Sequence, residues 1–142
     1  MRTALILAAP LLAMVAPLPV HAAMLDVVVA GVRSDQGIVL VAVCREPQFL
    51  RDTCTYHARA PARAGEVVVQ VPGVPPGIYA IQAFHSEDGS GTLRRSFFGV
   101  PRDGIGFSRD AKFNYGPPRF ADAAVRVGTD AGQVRLTLRY YE

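Results

Sequence analysis

Two cysteines, three histidines and a single lysine in 142 residues leave little from which to build a metal or redox centre. Cys44 and Cys54 have nine residues between them. That is not the C-x-x-C spacing of a redox pair, and two thiolates without a second pair of ligands do not complete a zinc site. No G-x-G-x-x-G opens a helix and no phosphate-binding loop is present, so nucleotide binding has no support. No Gly-x-Ser-x-Gly elbow frames any serine. Apolar residues nowhere keep three-and-four spacing for long enough to make a helix. This inventory implies no cofactor.

Strong charge of either sign is missing as well. Fifteen cations face 12 acids, and the cations, all Arg except Lys112, are scattered along the chain. Nucleic-acid binding needs cations gathered into a patch or stripe, so no nucleic-acid partner is expected. The preference for Arg over Lys is read as genome composition.

The N-terminus has a layout of its own. Arg2 precedes an apolar run over residues 4–15, and Val20-His21-Ala22 offers small residues at a junction, the three-part pattern of a secretory signal peptide. Pro10, Pro17 and Pro19 interrupt the stretch, which falls short of the roughly 20 apolar residues of a spanning helix. No cysteine at the junction could take a lipid. The expectation is a signal peptide over 1–22, cleavage after Ala22, and a mature domain over 23–142 with no transmembrane anchor, periplasmic or secreted. Losing Arg2 leaves 14 cations against 12 acids. In an oxidising compartment an even cysteine count predicts one disulfide, Cys44 to Cys54. Closing so short a loop stabilises by on the order of 2 to 3 kcal/mol in the chain-entropy model.

After residue 22 the apolar residues recur with a period near two or in β-branched runs. Strands are expected over 25–32, 37–44, 66–71, 78–85, 123–127 and 133–141. In the last, Val134, Leu136, Leu138 and Tyr140 alternate with polar neighbours, which suggests a half-wet antiparallel sheet. Turns are expected at Ser34-Asp35-Gln36-Gly37, at 72–77 and at 128–132. Many short strands with frequent turns predict one all-β antiparallel sandwich of about seven strands. Two connections are long, 45–65 and 86–122, and the second is expected to hide a strand at 93–100.

The segment Pro75-Pro76-Gly77-Ile78-Tyr79-Ala80-Ile81 resembles the turn and strand of prealbumin-like and carboxypeptidase-regulatory-like sandwiches. Behind it come Phe84-His85-Ser86-Glu87-Asp88-Gly89-Ser90-Gly91, Phe98-Gly99-Val100-Pro101, Gly104-Ile105-Gly106-Phe107-Ser108 and Pro117-Pro118-Arg119-Phe120-Ala121-Asp122-Ala123. This ordered set resembles the DUF2141 family of exported bacterial proteins across essentially the whole mature chain. The resemblance implies a seven-stranded Ig-like or transthyretin-like sandwich and supplies no activity. The family's pattern after the histidine resembles the start of a calcium loop. Here Ser86, Asp88 and Ser90 hold the ligand positions, Phe97 stands where a bidentate Glu belongs, and Arg94 and Arg95 intervene, so no metal site is expected.

The remaining candidates are sparse. His85 near Asp88 could serve as a general base only with a positioned nucleophile, and Ser86, Ser90, Ser96 and Ser108 lie in no recognisable frame. Gly104-Ile105-Gly106 reads as a turn in a loop. Phe97, Phe98, Phe107, Phe113, Tyr115 and Phe120 crowd the second connection, where Arg94, Arg95, Arg102, Arg109, Lys112 and Arg119 outnumber the acids. Buried aromatics would anchor this connection, and residues left exposed would form a binding face. The candidate ligand-binding residues are therefore His85, Asp88, Arg102, Arg109 and Tyr115. The leading expectation is a non-enzymatic binding or envelope-associated accessory domain, its partner an envelope protein, a glycan or a small anionic ligand. The alternatives are a small hydrolase-like enzyme using His85 with Asp88 or a loop serine, and a structural subunit that pairs through a sheet edge.

Overall fold

The structure is a computed structural model that describes residues 3–18, 23–96, 99–130 and 132–141. The Val20-His21-Ala22 junction and the two phenylalanines Phe97 and Phe98 lie outside the described residues. Residues 3–18 have no regular secondary structure, and their apolar side chains, Leu11 and Met14 among them, are exposed. Among the described residues no helix is long and apolar enough to cross a membrane.

The rest of the described residues contains eight strands, with only three- and four-residue helical turns between them: β1 (Ala23–Val32), β2 (Ile38–Cys44), β3 (Tyr56–Pro61), β4 (Gly65–Val74), β5 (Gly77–Ser86), β6 (Gly104–Phe107), β7 (Ala124–Val127) and β8 (Gly132–Thr137). They form a three-stranded sheet, β4-β1-β8, and a five-stranded sheet, β3-β2-β5-β6, with β7 on the remaining length of β5. The period-two pattern decides which side chains face inward. Val27 and Val29 of β1, Val69 and Val71 of β4, Val39 and Val41 of β2, and Tyr79 and Ile81 of β5 meet in one core between the sheets. The chain is all-β and sandwich-like, as expected.

Several local expectations change. No strand covers 93–100 among the described residues, where Arg95 and Pro101 make only an isolated bridge. The hidden strands are β3 in the first connection and β6 in the second. Gly104-Ile105-Gly106 is therefore strand, not turn. A Cβ at Gly106 would lie 2.6 Å from the Thr137 carbonyl oxygen, and one at Gly104 would meet the Tyr140 ring. These glycines let the C-terminal strand pass close across β6. Pro72 and Gly73, read as part of a turn, lie within β4 opposite a register shift in β1. Gly73 has φ +73°, so the pair forms a bulge with the turn beginning only after Val74.

The C-terminal strand carries the largest correction. Its alternation is as expected, but β8 runs parallel to β1, pairing Val27 with Val134 and Val29 with Leu136. Alternation reports a half-buried strand and carries no information about the direction of its neighbour. Leu138 still donates its N–H to the Ala30 carbonyl of β1 at 2.9 Å, and beyond it the chain leaves the smaller sheet, Arg139 exchanging both backbone hydrogen bonds with Ile105 of β6 at 3.0 and 2.8 Å. This crossing ties the two sheets together along one side.

Candidate functional site

The outer faces of the two sheets differ in kind. On the smaller sheet the outward positions carry polar pairs among aliphatic neighbours: Gln70 donates to Asp26 at 3.3 Å and Arg135 pairs with Glu66 at 2.8 Å, while Val68 on the same face is exposed. On the larger sheet the outward positions of β2 and β5 include Ala42, Cys44, Ala80 and Phe84, which with Ile105 and Phe107 build a second apolar cluster. The two long connections fold over it. A 3-10 turn at Glu46–Gln48 leads to Phe49, whose ring meets those of Phe107 and Phe120 edge-on, each at 6.0 Å between centroids. Cys44 is bonded to Cys54 with Cα atoms 5.0 Å apart, which pins the far end of the first connection to β2. In the second connection, buried Ser108 accepts the Ile81 N–H at 2.9 Å and donates to the Ala123 carbonyl.

The two connections do not meet over the whole face. Between them lies a groove of about 570 Å³ whose lining includes Phe84, Leu93, Ile105, Phe107 and Phe113. A lobe of about 180 Å³ continues toward β3, past Leu40, Ala42, His57 and Arg59. Arg51, Asp52, Gln82 and Phe84 line both and so mark the junction. Leu50 lines the larger lobe in the left-handed region, φ 66°, and its N–H donates to Gln82 Oε1 at 3.3 Å. A non-glycine residue held there costs of order 1 to 3 kcal/mol, a strain that recurs at ligand-contacting positions.

The sequence-predicted site residues are not brought together into this groove. His85 points between the sheets and is fully buried. Its Nε2 lies 2.6 Å from the Gln36 carbonyl, which can only accept, so Nε2 donates, and Nδ1 lies 2.9 Å from the Tyr140 hydroxyl. Tyr140 Oη in turn accepts the Arg33 N–H at 3.0 Å, and the Arg33 guanidinium lies over the Tyr140 ring and pairs with Glu87 at 2.6 Å. Burial pushes the Tyr140 hydroxyl up from its usual range. Burial opposes ionisation of Glu87 too, but hydrogen bonds from Arg33 and Ser34 outweigh it and hold its carboxyl down. This satisfied network closes one end of the sandwich.

Asp88 is exposed and holds a turn. The Ser90 N–H at 3.0 Å, the Ser90 hydroxyl and the Ser86 hydroxyl depress its carboxyl to about 2. Arg102 is exposed. Arg109 donates to the Ala121 carbonyl at 3.2 Å. Tyr115 projects wholly into solvent from a residue with φ 55°. None of these five residues lines the groove.

Part of the expected cationic surface is neutralised internally. Arg94 donates to the buried Asp103 carboxylate from its backbone N–H at 2.7 Å and from Nη2 at 2.6 Å, while Arg119 pairs with Asp122 at 3.3 Å. Sequence reasoning missed Asp103 because loop cations were weighed without asking which acid each would meet. It also missed Arg51, Gln82 and Phe84 as lining residues. The available signal was β5 itself, where Gln82 and Phe84 occupy the alternation opposite the core, and an aromatic at an outward position needs a cover.

Fold and face together define a small disulfide-stapled β-sandwich with an apolar groove on the outside of its larger sheet. The chain belongs to the DUF2141 family, described as an uncharacterized protein conserved in bacteria, whose model matches residues 27–135. No curated protein and no solved structure matches it significantly.

Proposed function

We propose that this protein is an exported, non-enzymatic binding domain, periplasmic or secreted, whose ligand seats in the groove between Phe84, Phe107 and Phe113. The observation that carries this is the contrast between the two outer faces. The smaller sheet presents paired polar side chains and a few aliphatics directly to water, whereas the larger keeps a continuous apolar floor under two long connections that leave a groove uncovered. A volume of about 570 Å³ lies within the range of small-molecule sites. Export is supported by the exposed apolar stretch over 3–18 outside the sandwich, and by a disulfide, which persists in oxidising compartments. The hydrolase alternative draws no support from His85, whose ring nitrogens are both engaged inside the sandwich.

The test is to express the full chain in a bacterium, confirm by intact mass that the exported form begins at Ala23, and record amide spectra with and without an envelope extract. Shifts confined to the groove, and lost in Thr92→Trp, whose indole would fill the rim, are expected. A retained Met1 refutes the cleavage. Shifts unaffected by Thr92→Trp, or centred on Arg102, Arg109 and Tyr115, refute the groove.

A further inference from the structure

The groove differs from a plain apolar slot at the junction of its two lobes. The charged side chains around both lobes are Arg51, Arg59 and Arg95 against a single acid, Asp52, with His57 besides. Among the described residues Arg95 reaches only the Gly99 carbonyl, at 3.3 Å. Among the described residues the side chains of Arg51, Arg59 and Asp52 have no ion pair or hydrogen bond. Gln82 lies in the floor of the junction on β5. Because its Oε1 accepts the Leu50 N–H, the amide is oriented, and its NH2 group, a donor of two hydrogen bonds, has no protein partner among the described residues. A half-buried donor lining the same junction as the exposed, uncommitted Arg51 guanidinium matches an anionic oxygen pair, since Arg binds such a pair through two parallel N–H groups.

We infer that the groove takes an elongated amphipathic carboxylate, its apolar body on the Phe84, Ile105 and Phe107 floor and its acidic end at Arg51 and Gln82. This rests on the groove being the binding site. A glycan fits less well, because Phe84, Leu93, Ile105, Phe107 and Phe113 line much of the larger lobe and offer no side-chain donor or acceptor to replace the hydration of its hydroxyls. A single negative charge fits better than a phosphate dianion, because Asp52 lines the same junction and repels a second charge. The smaller lobe beyond Arg51 leaves room for the hydrated head.

The experiment is calorimetric titration of the exported full chain with decanoate, decanol and decyl phosphate, each below its aggregation range, repeated with Arg51→Gln. Decanoate is expected to bind at least tenfold more tightly than decanol and more tightly than decyl phosphate. Arg51→Gln should erase the preference over decanol while leaving decanol binding within about twofold, which a misfolded variant could not do. Equal binding of decanoate and decanol, or a preference surviving Arg51→Gln, overturns the carboxylate assignment. Tighter binding of decyl phosphate moves the assignment to a phosphate head and also overturns it. If none of the three binds while envelope extract still shifts groove amides, the ligand class is wrong and the groove stands. If the extract shifts are absent too, both fail.

Discussion

Reducing the Cys44–Cys54 bond separates two ways of holding a loop over a sheet. The bond spans a sequence separation of 10, for which chain entropy gives about 2.7 kcal/mol at 25 °C. In a domain of roughly 120 residues that corresponds to a fall in Tm of roughly 10 °C. The same connection is also held in the folded state by Phe49, 8% exposed and packed edge-on against Phe107 and Phe120. Phe49→Ala should cost about 3 to 5 kcal/mol, the usual range for a buried phenylalanine. If the bond acts chiefly on the unfolded chain and Phe49 on the folded one, the two losses add. The assay is urea unfolding of wild type and Phe49→Ala, each oxidised and phosphine-reduced, so that no cysteine side chain is changed. Additivity within about 0.5 kcal/mol is expected. A combined loss well below the sum would mean that the connection undocks once reduced and that the bond holds native structure. A reduction cost under about 1 kcal/mol would refute the entropy argument outright.

Asp88 supplies a pH prediction. Its folded carboxyl is depressed to about 2 while the unfolded one titrates near the ordinary 3.8, so its stabilising contribution is complete above about 4 and is lost as pH falls toward 2. Carboxyl carbon shifts followed by NMR should give that depressed midpoint, and one near 4 would refute the Ser86 and Ser90 hydrogen bonds. Gly106→Ala places a Cβ 2.6 Å from the Thr137 carbonyl oxygen, backbone that cannot swing aside, and should cost about 1 to 3 kcal/mol in thermal unfolding; a neutral variant would mean the C-terminal strand does not cross β6 there. Tyr79→Phe deletes the hydroxyl that donates to the Pro75 carbonyl at 2.7 Å, with a cost of about 1 to 2 kcal/mol by denaturant titration, and no loss would show the corner to be held by the prolines alone.

Period-two alternation and β-branched runs were enough to place the six expected strands and, in 133–141, the buried face, because side-chain direction in a strand is a local property of the backbone. An even cysteine count likewise pointed to the bond between Cys44 and Cys54. Partnership is not local. Nothing in residues 133–141 says that β1 will be a parallel neighbour, or that Arg139 will change sheets, and Gly104-Ile105-Gly106 looks like a turn until Tyr140 and Thr137 are seen lying against it. The site followed the same division. His85 drew attention by its chemistry, yet Gln36 and Tyr140, 49 and 55 residues away in sequence, decide that its nitrogens are spent inside the fold. Arg51, Gln82 and Phe84 came together only because β5 runs beneath the disulfide-pinned connection. The groove exists where two long connections fail to meet, and a gap between segments distant in sequence is a property of the tertiary structure alone.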